Sequence, residues 1–139
     1  MSVNLVLSRG ERPPPRQWPA AYLAVAAARW LSGRSPHRIS QVLHLVRRGA
    51  TPASVGQATA ARKAVVAVSP RCAIERGCLQ RSLATALLCR LRGTWPTWCT
   101  GVRTFPYFTA HAWVAVDGQP VGEDQNPDCY TLTLTVAPR

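Results

Sequence analysis

A chain of 139 residues with 47% hydrophobic content fits one domain, or one core with a helical annex, and excludes collagen-like, coiled-coil and broadly disordered classes. The formal net charge is +11, almost all of it arginine, since Lys63 is the only lysine. Such a field favours an acidic peptide or protein, nucleic acid or an anionic membrane face, but no nucleic-acid motif accompanies it, and a solvated basic surface with no nucleic-acid role is expected.

Residues 1–17, with a run of prolines at Pro13–Pro15, read as an extended arm. They carry no basic segment followed by a long apolar run, so no secretory signal is recognised. The most apolar stretch, Ala20–Ala28, lies between Pro19 and Arg29 and is too short to span a bilayer. A cytoplasmic protein with at most peripheral membrane contact is expected. From Pro19 to Leu31 the composition predicts a helix stopped by Gly33. Ser35-Pro36 opens a second helix, in which Ile39, Val42, Leu43 and Val46 recur at helical spacing. Thr51 as cap and Pro52 at the first helical position predict a third helix, running to about Val68.

After Pro70 the texture changes. Leu79, Leu83, Leu87 and Leu91 recur at i+4 and predict a helix over 78–92, closed by Gly93. Strands follow at Trp95–Arg103 and at Thr109–Val116. The second alternates Ala110, Ala112, Val114 and Val116 with Thr109, His111, Trp113 and Ala115. Asp117-Gly118 signals a tight hairpin, with a return strand over Pro120–Glu123 and a last strand over Tyr130–Val136. The fold class is α+β: an N-terminal arm and helical region over 1–70, then a core over 71–139 in which one helix packs on an antiparallel sheet.

The five cysteines, Cys72, Cys78, Cys89, Cys99 and Cys129, are odd in number and lack a Cys-x-x-Cys pair, which argues against a disulfide framework and against zinc. Cys78 stands out. It opens a helix, where free N–H groups and a positive partial charge favour thiolate over thiol and can hold an oxyanion. Gly77 before it leaves room for a substrate carbonyl. A free Cys is otherwise most often a small buried hydrophobe. His111 changes the balance, because it lies on the face of its strand not committed to the Ala/Val packing, where it can serve a thiol as base. His44, among Val42, Leu43 and Leu45, reads as helix packing, and His37 as a surface residue. For a third member that fixes the imidazole, Asp117 is too far along the strand. A two-residue turn at Asp117-Gly118 places Asp124 opposite His111 with Glu123 adjacent, so both acids are candidates. The aromatic side chains from Trp95 to Trp113 are expected to divide between core and groove, mostly core.

The runs CLQRSLATALLCRLRG at 78–93 and TGVRTFPYFTAHAWVAVDGQPVGE at 100–123 resemble the transglutaminase-like leader peptidases of lasso-peptide biosynthesis. The resemblance covers about residues 71–130. It implies a papain- or transglutaminase-like core and a Cys–His–Asp triad in which Cys78 and His111 match directly. The family pattern sets an Asp twelve positions after the His. Here that position is Glu123, one methylene longer, with Asp124 next as the alternative. The family also carries a Glu after His-Ala-Trp-Val, where this chain has Ala115. The resemblance further implies a cysteine endopeptidase without metal or organic cofactor. Its substrate would be a leader–core precursor peptide, delivered by a separate small leader-recognition protein, and a cyclase would then close the freed core. A catalytically silent peptide- or protein-binding module of the same fold is the alternative.

Overall fold

The computed structural model describes residues 14–123 and 129–139. The expected arm lies outside them apart from Pro14–Gln17, of which Pro15–Gln17 form a 3-10 turn. Helix α1 (Trp18–Ser32) has Pro19 in its first turn, where a missing N–H costs nothing, and buries Ala21, Ala24, Ala28 and Leu31. This spacing puts small side chains on one face, so α1 can lie close against its neighbours. Helix α2 (Pro36–Val46) is capped by Ser35, whose Oγ accepts the Arg38 N–H at 3.4 Å, and it buries Ile39 and Leu43.

The third helix departs from the sequence expectation at its start. Thr51 and Pro52 do not begin a helix; they form β1 (Thr51–Pro52), paired in parallel with β2 (Thr94–Trp95). The Thr51 and Ala53 N–H groups donate to the carbonyls of Gly93 and Trp95, each at 3.0 Å, and so draw these residues into an extended path. Helix α3 (Val55–Val68) starts instead at a reciprocal cap. Ser54 Oγ accepts the Gln57 N–H at 3.1 Å, and Gln57 Oε1 accepts the Ser54 N–H at 2.9 Å.

Helix α4 (Cys78–Leu91) is the hub of the packing. The i+4 leucine spacing suggested one apolar stripe. In the structure Leu83, Ala84, Thr85 and Ala86 are buried at successive positions, while Leu91 is exposed. Successive burial means cover on all sides, and α1 and α3 supply it on one flank and the sheet on the other. Strands β3 (Thr97–Arg103), β4 (Thr109–Val116), β5 (Gln119–Pro120) and β6 (Thr131–Val136) form that sheet in the order β5-β4-β3-β6, antiparallel throughout. Trp98, Val114, Val116 and Val136 join the cluster around α4, and Cys99, Trp113, Ala115 and Tyr130 form a second, smaller cluster. Two indole N–H groups tie the buried framework together: Trp98 Nε1 donates to Ser82 Oγ of α4, and Trp95 Nε1 to the Val136 carbonyl, both at 3.1 Å.

The β4–β5 hairpin forms as expected. Asp117 and Gly118 both have positive φ, 51° and 78°, the pair of values a two-residue turn between twisted strands requires. It sets Val116 opposite Gln119 and Ala115 opposite Pro120. The return strand is shorter than expected, because Gly122 turns away with φ 69°. The aromatic residues divide differently from expectation. The tryptophans at 95, 98 and 113 are buried, but Phe105, Tyr107 and Phe108 stand exposed in the β3–β4 loop. Among the described residues no helix is long and apolar enough to cross a membrane.

Candidate active site

The turn before α4 fixes the position of Cys78. Residues Glu75–Gly77 make a 3-10 turn, and no side chain caps the helix that begins at Cys78, which leaves its first-turn N–H groups to other partners. Gly77 has a reason the sequence did not reveal. A Cβ there would collide with the carbonyl of Arg71, so close packing of the preceding turn by itself requires a glycine. Buried Arg81 staples that turn by donating to the carbonyls of Cys72 at 3.1 Å and Ile74 at 3.0 Å.

The sulfur of Cys78 meets β4. Burial alone would push its pKa up. Hydrogen bonds from His111 and from the Ala112 N–H, with the positive charges of His111 and Arg81, outweigh burial and bring the thiol below its ordinary value. His111 shows the complementary shift. Burial opposes its charged form, but hydrogen bonds to Cys78 and Glu123 and the negative charge of both raise it to about 9. The two shifts run in opposite directions, the thiol's down and the imidazole's up, and each group is among the causes of the other's shift.

Glu123 completes the row. His111 Nε2 donates to Glu123 Oε2 at 3.0 Å, which leaves Nδ1 as the ring nitrogen for the sulfur. The side chains are 16% and 10% exposed, so water screens this pair poorly. The structure thus brings Cys78, His111 and Glu123 together; Asp124 lies outside the described residues. Around the imidazole stand two rings that sequence reasoning did not select: Trp113, stacked at 5.7 Å and 18°, and Tyr130 at 5.5 Å. Trp113 follows His111 by two positions, and that spacing alone predicts a shared strand face. Tyr130 offered no such signal.

Cys78 opens onto a cavity of about 520 Å3, a volume suited to a peptide segment. Its walls are largely apolar, with Ile39, Leu79, Val102, Ala110 and Leu134 among them, and Arg34 and His37 also line it. The Arg34 guanidinium lies 4.2 Å from the Trp30 ring centroid, a contact that steadies it. His37, expected as a surface residue, is exposed and faces this groove. His44 packs within α2, with Nδ1 2.7 Å from the Ser40 carbonyl.

The thiol at a helix start, the imidazole on the adjoining strand and the carboxylate behind it form an arrangement able to carry out acyl transfer. No curated protein and no solved structure matches the chain. The family model of the transglutaminase-like superfamily, which includes cysteine proteases, matches residues 21–135, taking in both the helical region and the sheet. A match over that much of the sequence makes the chain a member of the transglutaminase-like superfamily.

Proposed function

We propose that this protein is a cysteine endopeptidase that removes the leader from a ribosomally made lasso-peptide precursor, with Cys78 as nucleophile, His111 as base and Glu123 as the acid that orients it. The observation that carries the reading is the imidazole of His111 held between the Cys78 sulfur and the Glu123 carboxylate beside an open groove. The leader–core substrate is supported by the resemblance of the 78–93 and 100–123 runs to leader peptidases. The groove fits an apolar peptide segment, and none of its described lining residues is acidic.

In the proposed reaction the Cys78 thiolate attacks the scissile carbonyl carbon, and the C=O electron pair moves onto oxygen. First-turn N–H groups of α4 stabilise that oxyanion. The imidazolium of His111 gives its proton to the departing amine, which releases the core peptide's amino terminus. Neutral His111 then takes a proton from water as water attacks the thioester, and the leader leaves as a carboxylic acid while the thiolate is restored.

The test is to incubate the full chain with a leader–core precursor and a leader-recognition protein, then follow the products by mass spectrometry. Two fragments whose masses sum to precursor plus one water, and no cleavage by Cys78→Ala, are expected. Equal cleavage by Cys78→Ala would overturn the assignment. Binding of the precursor without cleavage by the wild-type chain would favour a silent binding module.

A further inference from the structure

Glu123 has two carboxylate oxygens, and His111 takes only Oε2. The other, Oε1, lies 3.7 Å from Nη2 of Arg62 on α3, and the two side chains are 8% and 10% exposed. Arg62 is out of place by composition. The other buried residues of α3 are Ala58, Ala61, Ala64, Val65 and Val66, and a guanidinium among them carries a desolvation cost that needs a compensating role. The backbone leading into Glu123 rests on the same group. Gly122 has φ 69°, and a Cβ there would stand 2.6 Å from Arg62 Nη1 and 2.8 Å from Cζ. Only a glycine lets the chain pass this close. The carboxylate is therefore located twice over by one side chain, through the Gly122 backbone and through Oε1.

We infer that Arg62 is a positioning residue for the Cys78–His111–Glu123 site, holding the carboxylate in the attitude that orients the imidazole. The inference rests on the proposed function in taking Cys78 as the nucleophile. Arg62 touches neither the sulfur nor the groove; it acts through Glu123.

The experiment measures the rate of Cys78 alkylation by iodoacetamide against pH in the full chain, with the modified site identified by mass spectrometry. Wild type is compared with Arg62→Lys, Arg62→Met and Gly122→Ala, alongside precursor cleavage and thermal unfolding. The wild-type alkylation midpoint is expected below that of an ordinary cysteine. Arg62→Met should move it up and lower kcat on the order of 10²-fold with KM little changed. Arg62→Lys should restore much of the loss. Gly122→Ala should reproduce the shift with Arg62 intact, because the new methyl displaces the guanidinium. If Arg62→Met does not fold, Gly122→Ala, at an exposed position, decides. A shifted wild-type midpoint that stays unmoved in the folded variants would overturn the role of Arg62 alone. An ordinary midpoint in the wild type would overturn the nucleophile assignment as well.

Discussion

Gly101 of β3 sits directly opposite His111 of β4, and its missing side chain is what gives the rings around the imidazole their place. A Cβ at Gly101 would lie 3.0 Å from both Trp113 Cη2 and Tyr130 Cβ. That is too close unless those rings move, and they flank His111. Gly101→Ala is therefore expected to destabilise by about 1–3 kcal/mol and to slow cleavage beyond what lost stability explains. Unfolding melts and kcat measured well below the melting temperature test this. A variant with normal turnover would show that the imidazole does not depend on its ring neighbours.

The pH profile follows from the two shifted groups. Below the lowered Cys78 value the thiol is protonated and cannot attack. Above about 9 the imidazole has lost the proton it must give to the departing amine. Cleavage should rise with pH through a midpoint below that of an ordinary thiol, hold a plateau, and fall near pH 9. Glu123 is one of the groups raising His111, so Glu123→Gln should move the alkaline limb to lower pH and reduce kcat roughly 10²- to 10⁴-fold. An unchanged alkaline limb in that variant would remove Glu123 from the site.

Gly77 gives a prediction about folding rather than chemistry. With the Arg71 carbonyl where its Cβ would be, Gly77→Ala must displace the turn before α4. A loss of about 1–3 kcal/mol is expected, seen as a melting point lower by several degrees. A variant as stable as wild type but slower in cleavage would return Gly77 to the substrate-clearance role first read from the sequence.

The groove can be filled without touching the core. Ala110 is exposed and lines the cavity beside His111. Ala110→Trp should raise KM for the precursor about tenfold or more, with little change in melting temperature or in the rate of Cys78 alkylation. Unaltered KM would place the peptide elsewhere.

The parts of the site that were legible in the sequence are those written in local signals. Cys78 follows a glycine at the head of a helix, His111 alternates with alanines on a strand, and Asp117-Gly118 fixes a hairpin register. That register brought both Glu123 and Asp124 within range of His111, and the turn at Gly122 decides how Glu123 reaches the ring. Thr51-Pro52 misled because it carries a good helix-start signal, yet its pairing partners Thr94 and Trp95 of β2 lie more than forty positions away, where no local pattern points. Arg62, Tyr130 and the Ala112 N–H were missed for the same reason. Arg62 and Tyr130 reach the site through tertiary packing and sit in no motif, and although Ala112 lies in the His-Ala-Trp-Val run, a side-chain pattern does not show where its N–H points. The buried, many-sided setting of α4 was hidden too, since a helix covered on all flanks leaves no single stripe to detect.

The thiols of this protein also differ in how they would meet an oxidant. Cys72, Cys89 and Cys99 are buried, and burial pushes their pKa values up, the last two to about 11, so they persist as inert SH groups. Cys78, unlike these three, is tuned toward the anion, and peroxide reacts with the anion. The sulfur readied for acylation is thus also a sulfur open to conversion to sulfenic acid, ahead of the three buried thiols. Peroxide should silence the protein in proportion to Cys78 oxidation, and a thiol reductant should revive it at that stage.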